Sequence, residues 1–325
     1  MLTDLAEQLR QTLGIRYKQD IQTAAHKLGQ YVSAGENQAP ILLGDDCAAI
    51  PRGDRYLLLA AEGLWPQLVQ AEPWFAGWSA LLVNVSDIYA MGGRPIAVVD
   101  ALWSPTAAAT HPLWEGMLAA SRAFNVPIVG GHTNCQSPYA ALSVAILGEA
   151  NCLLTSFDAQ VGDRLVLVAD FEGQPYRDYP FWDAATAKAP ADLQINLSLL
   201  PQIAESGLCD TAKDISMGGL VGTTLMLMET SRCGAILQVD QIPCPAGLSL
   251  QRWLTSFPSY GFLLSVRPER VSAIQAIFQA RGLVCAAIGE VVAPLTLTLK
   301  TAAETVYFWD LQQAPLTGFA PVGAS

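Results

Sequence analysis

The sequence predicts an α/β protein built from two domains. From residue 41 onward, short apolar runs alternate with segments of helical spacing, a pattern typical of sheets covered by helices. The chain has 325 residues, which is too many for one small core. Of these residues 51% are hydrophobic and only 14% are charged, as in compact globular proteins.

Charge and hydropathy exclude several classes of function. A formal net charge of −11 leaves nothing to neutralise a nucleic-acid backbone, so we expect no nucleic-acid partner. No apolar run reaches the ~18 residues of a membrane span, and the N-terminus lacks a signal pattern. Seven cysteines without a Cys-x-x-Cys pair predict free thiols in a reducing compartment and argue against zinc. We therefore expect a cytoplasmic protein with no membrane partner.

Residues 1–39 are predicted to form a helical segment and a loop. Leu2, Leu5 and Leu9 recur at helical intervals, and Thr3 is a plausible N-cap. By composition residues 33–40 form a loop, either an idle linker or a mobile cover over a site.

Residues 40–155 are predicted to form the first α/β domain. One helix is predicted from Trp74 to Met91 and another from Pro112 to Phe124. In the first of these, Gly92-Gly93 supplies the stop and Pro95 prevents continuation. The predicted strands are Ile41–Leu43, Tyr56–Ala61, Ile96–Leu102, Val126–Val129 and Leu142–Leu147.

Residues 160–311 are predicted to form a second α/β domain, followed by a polar tail at 312–325. Residues 171–190 show no clear period and are predicted to be a loop or an insertion. The predicted strands are Arg164–Ala169, Ala235–Val239, Phe262–Val266 and Val284–Val291. The predicted helices are Asp192–Ser206, a segment from Leu220 to Cys233, and Pro268–Ala280.

Asp87 lies in the last turn of the first predicted helix, on a face that it shares with Asn84. The helix dipole disfavours an anion there by a few tenths to ~1 kcal/mol. Two explanations remain open at this point. Asp87 is either a solvated or salt-bridged residue, with Arg94 as a partner, or a ligand for a cation.

Other acids follow predicted strands, where open α/β sheets place their ligands. Asp45 and Asp46 come after Gly44, and Glu62 follows the second strand. Paired carboxylates that leave coordination positions open for phosphate oxygens suit Mg²⁺. Equally, Asp residues are common in turns because they bond local amides, and Glu62 could be an exposed strand-end acid.

Two glycine pairs mark further candidate positions. Gly130 and Gly131 would let a backbone approach a ligand, with His132 offering a hydrogen bond, unless the segment is an ordinary turn. Asp214 precedes Ser216, a predicted N-cap.

Gly218-Gly219 opens the helix that follows Ser216. The functional interpretation is an anion site at that helix N-terminus, with Lys213 touching a phosphate and Asp214 holding a metal. Ordinary capping and a solvated lysine are the alternatives. Together, five acids in Gly-marked turns of a cation-poor chain favour a metal–nucleotide site.

These segments resemble the motifs of the aminoimidazole ribonucleotide (AIR) synthetase superfamily, which includes thiamine-monophosphate kinase, selenophosphate synthetase and a hydrogenase maturation protein. The resemblance covers about residues 40 to 292 and is greatest for the uncharacterised synthetase-related branch. It rests on five stretches, Gly44–Ala48, Asn84–Pro95, Gly130–Thr133, Asp214–Leu220 and Gly289–Val291.

The resemblance implies a two-domain synthetase-like architecture whose N-terminal domain dimerises through its sheet into a shared barrel. It implies ATP with Mg²⁺ held by the acids that match Asp45, Asp46, Asp87 and Asp214. It also implies transfer of a phosphoryl group to a small-molecule substrate in a homodimeric enzyme.

Departures from the family pattern narrow the range of activities that the resemblance allows. Glu62 stands where the family usually has Asp, and residues 31–40 lack the Cys and Lys of selenophosphate synthetase. His132 and Met217 stand where thiamine-monophosphate kinase has Asp. We expect ATP- and Mg²⁺-dependent phosphoryl transfer to an unidentified metabolite. The alternatives are a non-catalytic nucleotide-binding subunit that serves a partner enzyme and, more narrowly, thiamine-monophosphate kinase itself.

Overall fold

The structure, a computed structural model, describes residues 1–32 and 41–319. The predicted loop or cover at 33–40 and the last residues of the predicted tail lie outside this range. Two compact units divide the chain. The five-stranded unit comprises Asp46–Leu153 and Ala185–Gln202; the seven-stranded unit contains the described residues up to Asp45, Leu154–Ala184 and those from Ile203 on.

Helices and strands alternate through most of the described chain. The α-helices are α1 (Leu2–Arg10), α2 (Leu13–Gln19), α3 (Gln22–Val32), α4 (Pro66–Ala71), α5 (Pro73–Ala90), α6 (His111–Phe124), α7 (Pro190–Glu205), α8 (Gly219–Ser231), α9 (Leu250–Leu254) and α10 (Val271–Gln279). The strands are β1 (Ala48–Arg52), β2 (Arg55–Gly63), β3 (Arg94–Trp103), β4 (Ile128–Asn134), β5 (Ala141–Ala150), β6 (Arg164–Ala169), β7 (Gln174–Pro175), β8 (Trp182–Asp183), β9 (Thr211–Asp214), β10 (Gly234–Gln238), β11 (Gly261–Val266), β12 (Val284–Val292), β13 (Thr296–Lys300) and β14 (Thr305–Asp310).

The five-stranded sheet has the order β1-β2-β5-β3-β4. Only β3 and β4 run parallel; the other neighbours are antiparallel. One face is covered by α5, whose Ile88 side chain lies against Gly148 of β5. The predicted apolar stripe of α5 is buried at Trp78, Leu81, Val85 and Ile88 but not at Trp74, which is 38% exposed in the first turn.

The opposite face of this sheet, which we call the open face, is apolar and exposed. Side chains alternate between faces along a strand, so the residues between the buried ones point away from α5. Leu59, Val99 and Leu147 lie there and are each more than a third exposed. A continuous apolar surface of this kind marks an interaction site more often than a free surface.

The seven-stranded sheet has the order β14-β13-β10-β12-β6-β11-β9. Its strands β6 and β11 are buried along almost their whole length, as expected for central strands covered on both faces. The N-terminal helix α1 is tied to the edge of this sheet. The Leu2 backbone N–H donates to Glu304 at 2.8 Å, and Arg10 Nε donates to the Phe308 carbonyl at 2.9 Å.

The α/β class and the two sheet units confirm the predicted fold class. Among the described residues no helix combines the length and the apolar character that a membrane crossing requires. Residues 312–319 do not form a free tail, since Leu316 is completely buried.

Several local predictions are wrong. Ile41–Leu43 is not a strand, because the chain turns at Gly44 (φ +104°), and the first strand begins at Ala48, where it forms a hairpin with β2. The predicted N-terminal segment is helical and consists of three separate helices, α1 to α3. Thr3 is not an N-cap, because α1 already begins at Leu2.

Ser216 is not the N-cap of α8 either. Its carbonyl accepts the Gly219 N–H at 2.7 Å in a turn, and the cap position is Gly218. Gly130, Gly131 and His132 lie within β4 and not in a turn after it, because β4 continues along β3 as far as Asn134.

Candidate functional site

Two of the predicted acids come together in the five-stranded unit. Carboxylate oxygens of Asp46, in the turn before β1, and Asp87, on α5, lie within 4.8 Å of each other. The Asp87 side chain is largely buried, with the residue 6% exposed. Two carboxylates this close repel each other unless a proton or a cation lies between them. Oxygen donors at this spacing fit a hard divalent ion such as Mg²⁺.

The end of α5 explains how the chain places Asp87 there. Gly92 adopts the left-handed conformation (φ +72°) that ends a helix without a Cβ penalty. The Gly93 N–H then donates to the Ile88 carbonyl at 2.9 Å. Asp87 is therefore held in the last turn, as predicted, where the helix dipole favours a cation beside it.

Asp45 has different surroundings, in the seven-stranded unit. Its Oδ1 lies 3.8 Å from Lys213 Nζ, and the two side chains are only 1% and 5% exposed. Its Oδ2 accepts the Ser156 backbone N–H at 2.7 Å. Lys213 is thus a buried partner of a carboxylate and not a solvated surface lysine. Burial strengthens the attraction between such charges relative to water.

Asp214 ends β9 in the same unit and is 3% exposed. Its Oδ2 accepts a hydrogen bond from Ser259 Oγ at 3.1 Å. Ser259 itself has φ +46°, which is uncommon for a residue other than glycine. The seven-stranded unit therefore presents a buried Asp45–Lys213 pair. Asp214 follows Lys213 within the strand, where successive side chains point to opposite faces of the sheet.

The remaining predicted residues of the five-stranded unit are spread over both faces of its sheet. His132 pairs with Ala101 and points to the open face, away from the helix that carries Asp87. Glu62 is exposed near the end of β2. Asn84 is fully buried and donates through Nδ2 to the Ala80 carbonyl at 2.8 Å.

Gly131 supplies only backbone and therefore lets a neighbour approach closely, whereas a Cβ at Gly130 would meet no described residue within 4 Å. Beside Gly131 that neighbour is the carboxylate of Asp100, which a Cβ at position 131 would overlap.

Asp100 is a buried acid that is not among the site residues predicted from the sequence. It is 6% exposed, and neither carboxylate oxygen has a hydrogen-bond partner in another described residue. The register places it in one row across the sheet with Glu62, Val144 and Gly131. Burial raises its pKa above 3.8, and its own backbone N–H opposes that rise only in part. The available signal was a single acid inside the apolar run Ile96–Leu102.

We predict that Asp100→Asn stabilises the protein at neutral pH. The folded state binds the Asp100 proton more tightly than the unfolded state does, so this residue's contribution to stability is lost as pH rises from about 4 through its raised pKa. Removing a buried charge that lacks a partner gains on the order of 1 kcal/mol. Urea unfolding between pH 4 and pH 8 should show a higher free energy of unfolding for the variant than for the wild type, and the difference should increase with pH.

The control for Asp100 is Asp54→Asn, which changes an exposed acid in the turn between β1 and β2. This control should show no such pH trend. A gain for Asp100→Asn that is equal at all pH values, or a loss of stability at pH 8, would contradict the assignment.

Comparison with known proteins identifies the family. Residues 44–150 match the profile described as AIR synthase related protein, N-terminal domain, and residues 160–300 match the corresponding C-terminal domain. The chain belongs to the AIR synthase-related family. An uncharacterized protein of Synechocystis sp. is 61% identical to this member over 98% of its chain and 99% of the relative, in agreement with the uncharacterised branch predicted from the motifs.

Relatives with assigned activities have a lower sequence identity to this AIR synthase-related chain than the Synechocystis protein has. The thiamine-monophosphate kinase of Synechococcus elongatus is 27% identical over 64% of the chain and 70% of the kinase. The solved structure of Thermotoga maritima PurL complexed with ATP superposes with a TM-score of 0.71 at 19% identity, over 92% of this chain and 53% of that one. The chain thus spans about half of PurL and shares its fold, which confirms the predicted synthetase-like architecture.

Proposed function

We propose that the protein is an ATP- and Mg²⁺-dependent enzyme that transfers a phosphoryl group to a small metabolite. The observation that carries the proposal is the pair of carboxylates, Asp46 and Asp87, held within 4.8 Å at the end of a mostly buried helix. A chain with only 18 Lys and Arg residues against 29 Asp and Glu residues needs such a metal site in order to hold a triphosphate. Family membership adds support, since a related structure is complexed with ATP.

The proposed metal ligands are Asp46 and Asp87, with Asp214 and Asp45 completing the set and Glu62 assisting. Asp46 lies near Asp87 in the five-stranded unit, and Asp45 pairs with Lys213 in the seven-stranded unit.

The proposed phosphate contacts are Lys213 and the backbone around Gly44, Gly130, Gly131 and Gly218. Lys213 is a fixed positive charge in a protein with few of them, and its pairing with Asp45 holds it in place. Asn84 and His132 are proposed to contact nucleotide or substrate. Because His132 faces the open side of the sheet, its role would depend on what covers that face.

Phosphoryl transfer asks a protein mainly for alignment and neutralisation of charge. Mg²⁺ at the acid pair would neutralise the charge that develops on the phosphate oxygens. Lys213 would orient the phosphate chain. The buried carboxylates would hold these charges in a fixed, dry geometry that needs no rearrangement during reaction.

The active form is proposed to be a homodimer that buries the open face of the five-stranded unit against a second copy. Leu59, Val99 and Leu147 make that face apolar, and association through it would remove their surface from water at about 25 cal/mol per Å². The edge strands β1 and β4 would then lie beside strands of the partner.

The experiment that tests the proposal is ADP release from Mg·ATP by the purified protein, with and without a small-metabolite extract. We expect release that depends on both Mg²⁺ and a metabolite fraction. Binding of Mg·ATP without turnover in any fraction would favour the alternative of a nucleotide-binding subunit, for which Glu62 and Met217, at positions where related enzymes have Asp, are the supporting residues. Failure to bind Mg·ATP would contradict both functions.

A narrower assay uses thiamine monophosphate alone as the acceptor. Because His132 and Met217 replace the acids of thiamine-monophosphate kinase, we expect no ADP release above background. Turnover at a rate matching that with the metabolite extract would instead identify the protein as this kinase.

A further inference from the structure

The C-terminal segment Leu316–Phe319 is built into the seven-stranded unit next to the Gly44–Asp45 turn. Leu316 is fully buried in the core of that unit. Gln22 Nε2, on α3, donates to the Pro315 carbonyl at 2.7 Å and to the Leu316 carbonyl at 3.1 Å. The segment is thus held from two sides, by the core and by an N-terminal helix.

Glu229 is the group that fixes this segment. It lies in the last turn of α8, where the helix dipole disfavours an anion, and it is 4% exposed. Its Oε1 accepts the N–H groups of Leu316 at 2.7 Å and Gly318 at 3.2 Å. Its Oε2 accepts the N–H and the hydroxyl of Thr317 at 2.8 and 2.6 Å. These charge-assisted bonds compensate for burying the carboxylate.

Phe319 connects the segment held by Glu229 to the Gly44–Asp45 turn by direct packing. Gly44 has φ +104°, and a Cβ at that position would lie 2.4 Å from the Cβ of Phe319, 3.0 Å from its ring atom Cγ and 3.3 Å from Thr230 Cγ2. The turn is therefore packed between Phe319 on one side and α8 on the other.

The turn of α8 that holds Glu229 also reaches Asp45 by a second route. Thr230 Oγ1 and Ser231 Oγ both donate to the Ser156 carbonyl at 2.7 Å. The Ser156 N–H in turn donates to Asp45 Oδ2 at 2.7 Å. Three consecutive residues, Glu229 to Ser231, thus connect the C-terminal segment, Gly44 and the partner of Asp45.

From these contacts we infer that Leu316–Phe319 is a strap that positions the Gly44–Asp45 turn, with Glu229 and Phe319 as positioning residues for the nucleotide site. The inference rests on the proposed function for the identity of that site. Neither residue would contact the nucleotide. They act by holding Asp45, and through it Lys213, in a fixed place.

The test compares Glu229→Gln and Phe319→Ala with Glu304→Gln. The control removes the same charge from a carboxylate that binds a backbone N–H of the same unit, that of Leu2 at 2.8 Å. Two quantities are measured well below the unfolding temperature. One is hydrogen exchange at the Ser156 amide, which reports local opening of the turn; the other is the Kd for Mg·ATP.

We expect exchange at Ser156 about 10-fold faster and affinity for Mg·ATP about 10-fold weaker in both strap variants, with the control unchanged in both quantities. A lower unfolding temperature without a change in either quantity would show that the strap is only structural, and would overturn the inference. Phe319→Ala keeps the test decisive if Glu229→Gln does not fold.

The strap and the proposed function fail in different ways. If the wild-type protein does not bind Mg·ATP, the proposed function is wrong, and exchange at Ser156 alone decides whether the strap holds the turn. If the wild type binds and Ser156 exchange is unchanged in both variants, the strap is wrong and the proposed function stands.

Discussion

Asp87→Asn is expected to abolish Mg²⁺-dependent nucleotide binding while leaving the fold intact. Asparagine keeps the size of the side chain but removes one of two anionic donors that lie within 4.8 Å of each other. We expect at least about a 100-fold loss of affinity, equivalent to about 2.7 kcal/mol. Titration calorimetry with a non-hydrolysable ATP analogue, with and without Mg²⁺, measures this loss.

Thermal unfolding of the same variant separates a lost metal site from a damaged fold. Without Mg²⁺, Asp87→Asn should be as stable as the wild type or more so, because repulsion between the carboxylates is relieved. With ligand at 100 times the wild-type Kd, the wild type should gain about 2.7 kcal/mol and the variant no more than about 0.4 kcal/mol. Asp54→Asn, in an exposed turn of the same unit, should behave as the wild type. Unchanged affinity in Asp87→Asn would refute the ligand assignment.

The combined change Val99→Asp and Leu147→Asp is expected to convert a dimer into a monomer. Both residues are exposed on the open face, at 42% and 38%. Neighbouring positions in the register place them close together, since Val99 pairs with Ala145 and Leu147 with Ala97. Two charges buried in an apolar interface, each without a partner, would cost several kcal/mol. Light scattering should show the mass fall from about twice the 34.7 kDa of one chain to a single chain.

The control for the dimer prediction is Val161→Asp. It also replaces an apolar side chain with a carboxylate, at a 60% exposed position of the seven-stranded unit. It should leave the mass unchanged. A wild-type protein that is monomeric at micromolar concentration would contradict the prediction, whatever the variants do. If the wild type is a dimer and the double variant a monomer, nucleotide binding by the double variant shows whether the site needs the second copy.

Helices with a strong apolar period were predicted well from the sequence, whereas short segments were not. The pattern from Trp78 to Ile88, with Gly92 after it, is local information, because a helix bonds within itself and its stop depends on a few adjacent residues. Ile41–Leu43 has the same local character as a strand but finds no neighbouring strand. A strand needs a partner from elsewhere in the chain, which a three-residue apolar run does not specify.

The candidate site shows the same division. Asp87 was recognisable because an acid at a helix C-terminus contradicts the helix dipole. Asp100 was missed, although it too is an acid at an unfavourable position, because its only signal, a single acid inside the apolar run Ile96–Leu102, does not show which face of the strand is buried. The role of Glu229 was equally invisible, since its partners Leu316–Gly318 are almost ninety residues away in the sequence.

By itself the sequence determined the α/β class and the family, and it predicted the chemical type of the site, because apolar periodicity, Gly-marked turns and residue identity are properties of neighbouring residues. Tertiary structure decided which acids share surroundings. It placed Asp46 with Asp87, paired Asp45 with Lys213, and turned His132 to the open face. The physical reason is that strand register and packing bring together residues that are distant in the chain, and the free energy of those contacts has no counterpart in local sequence.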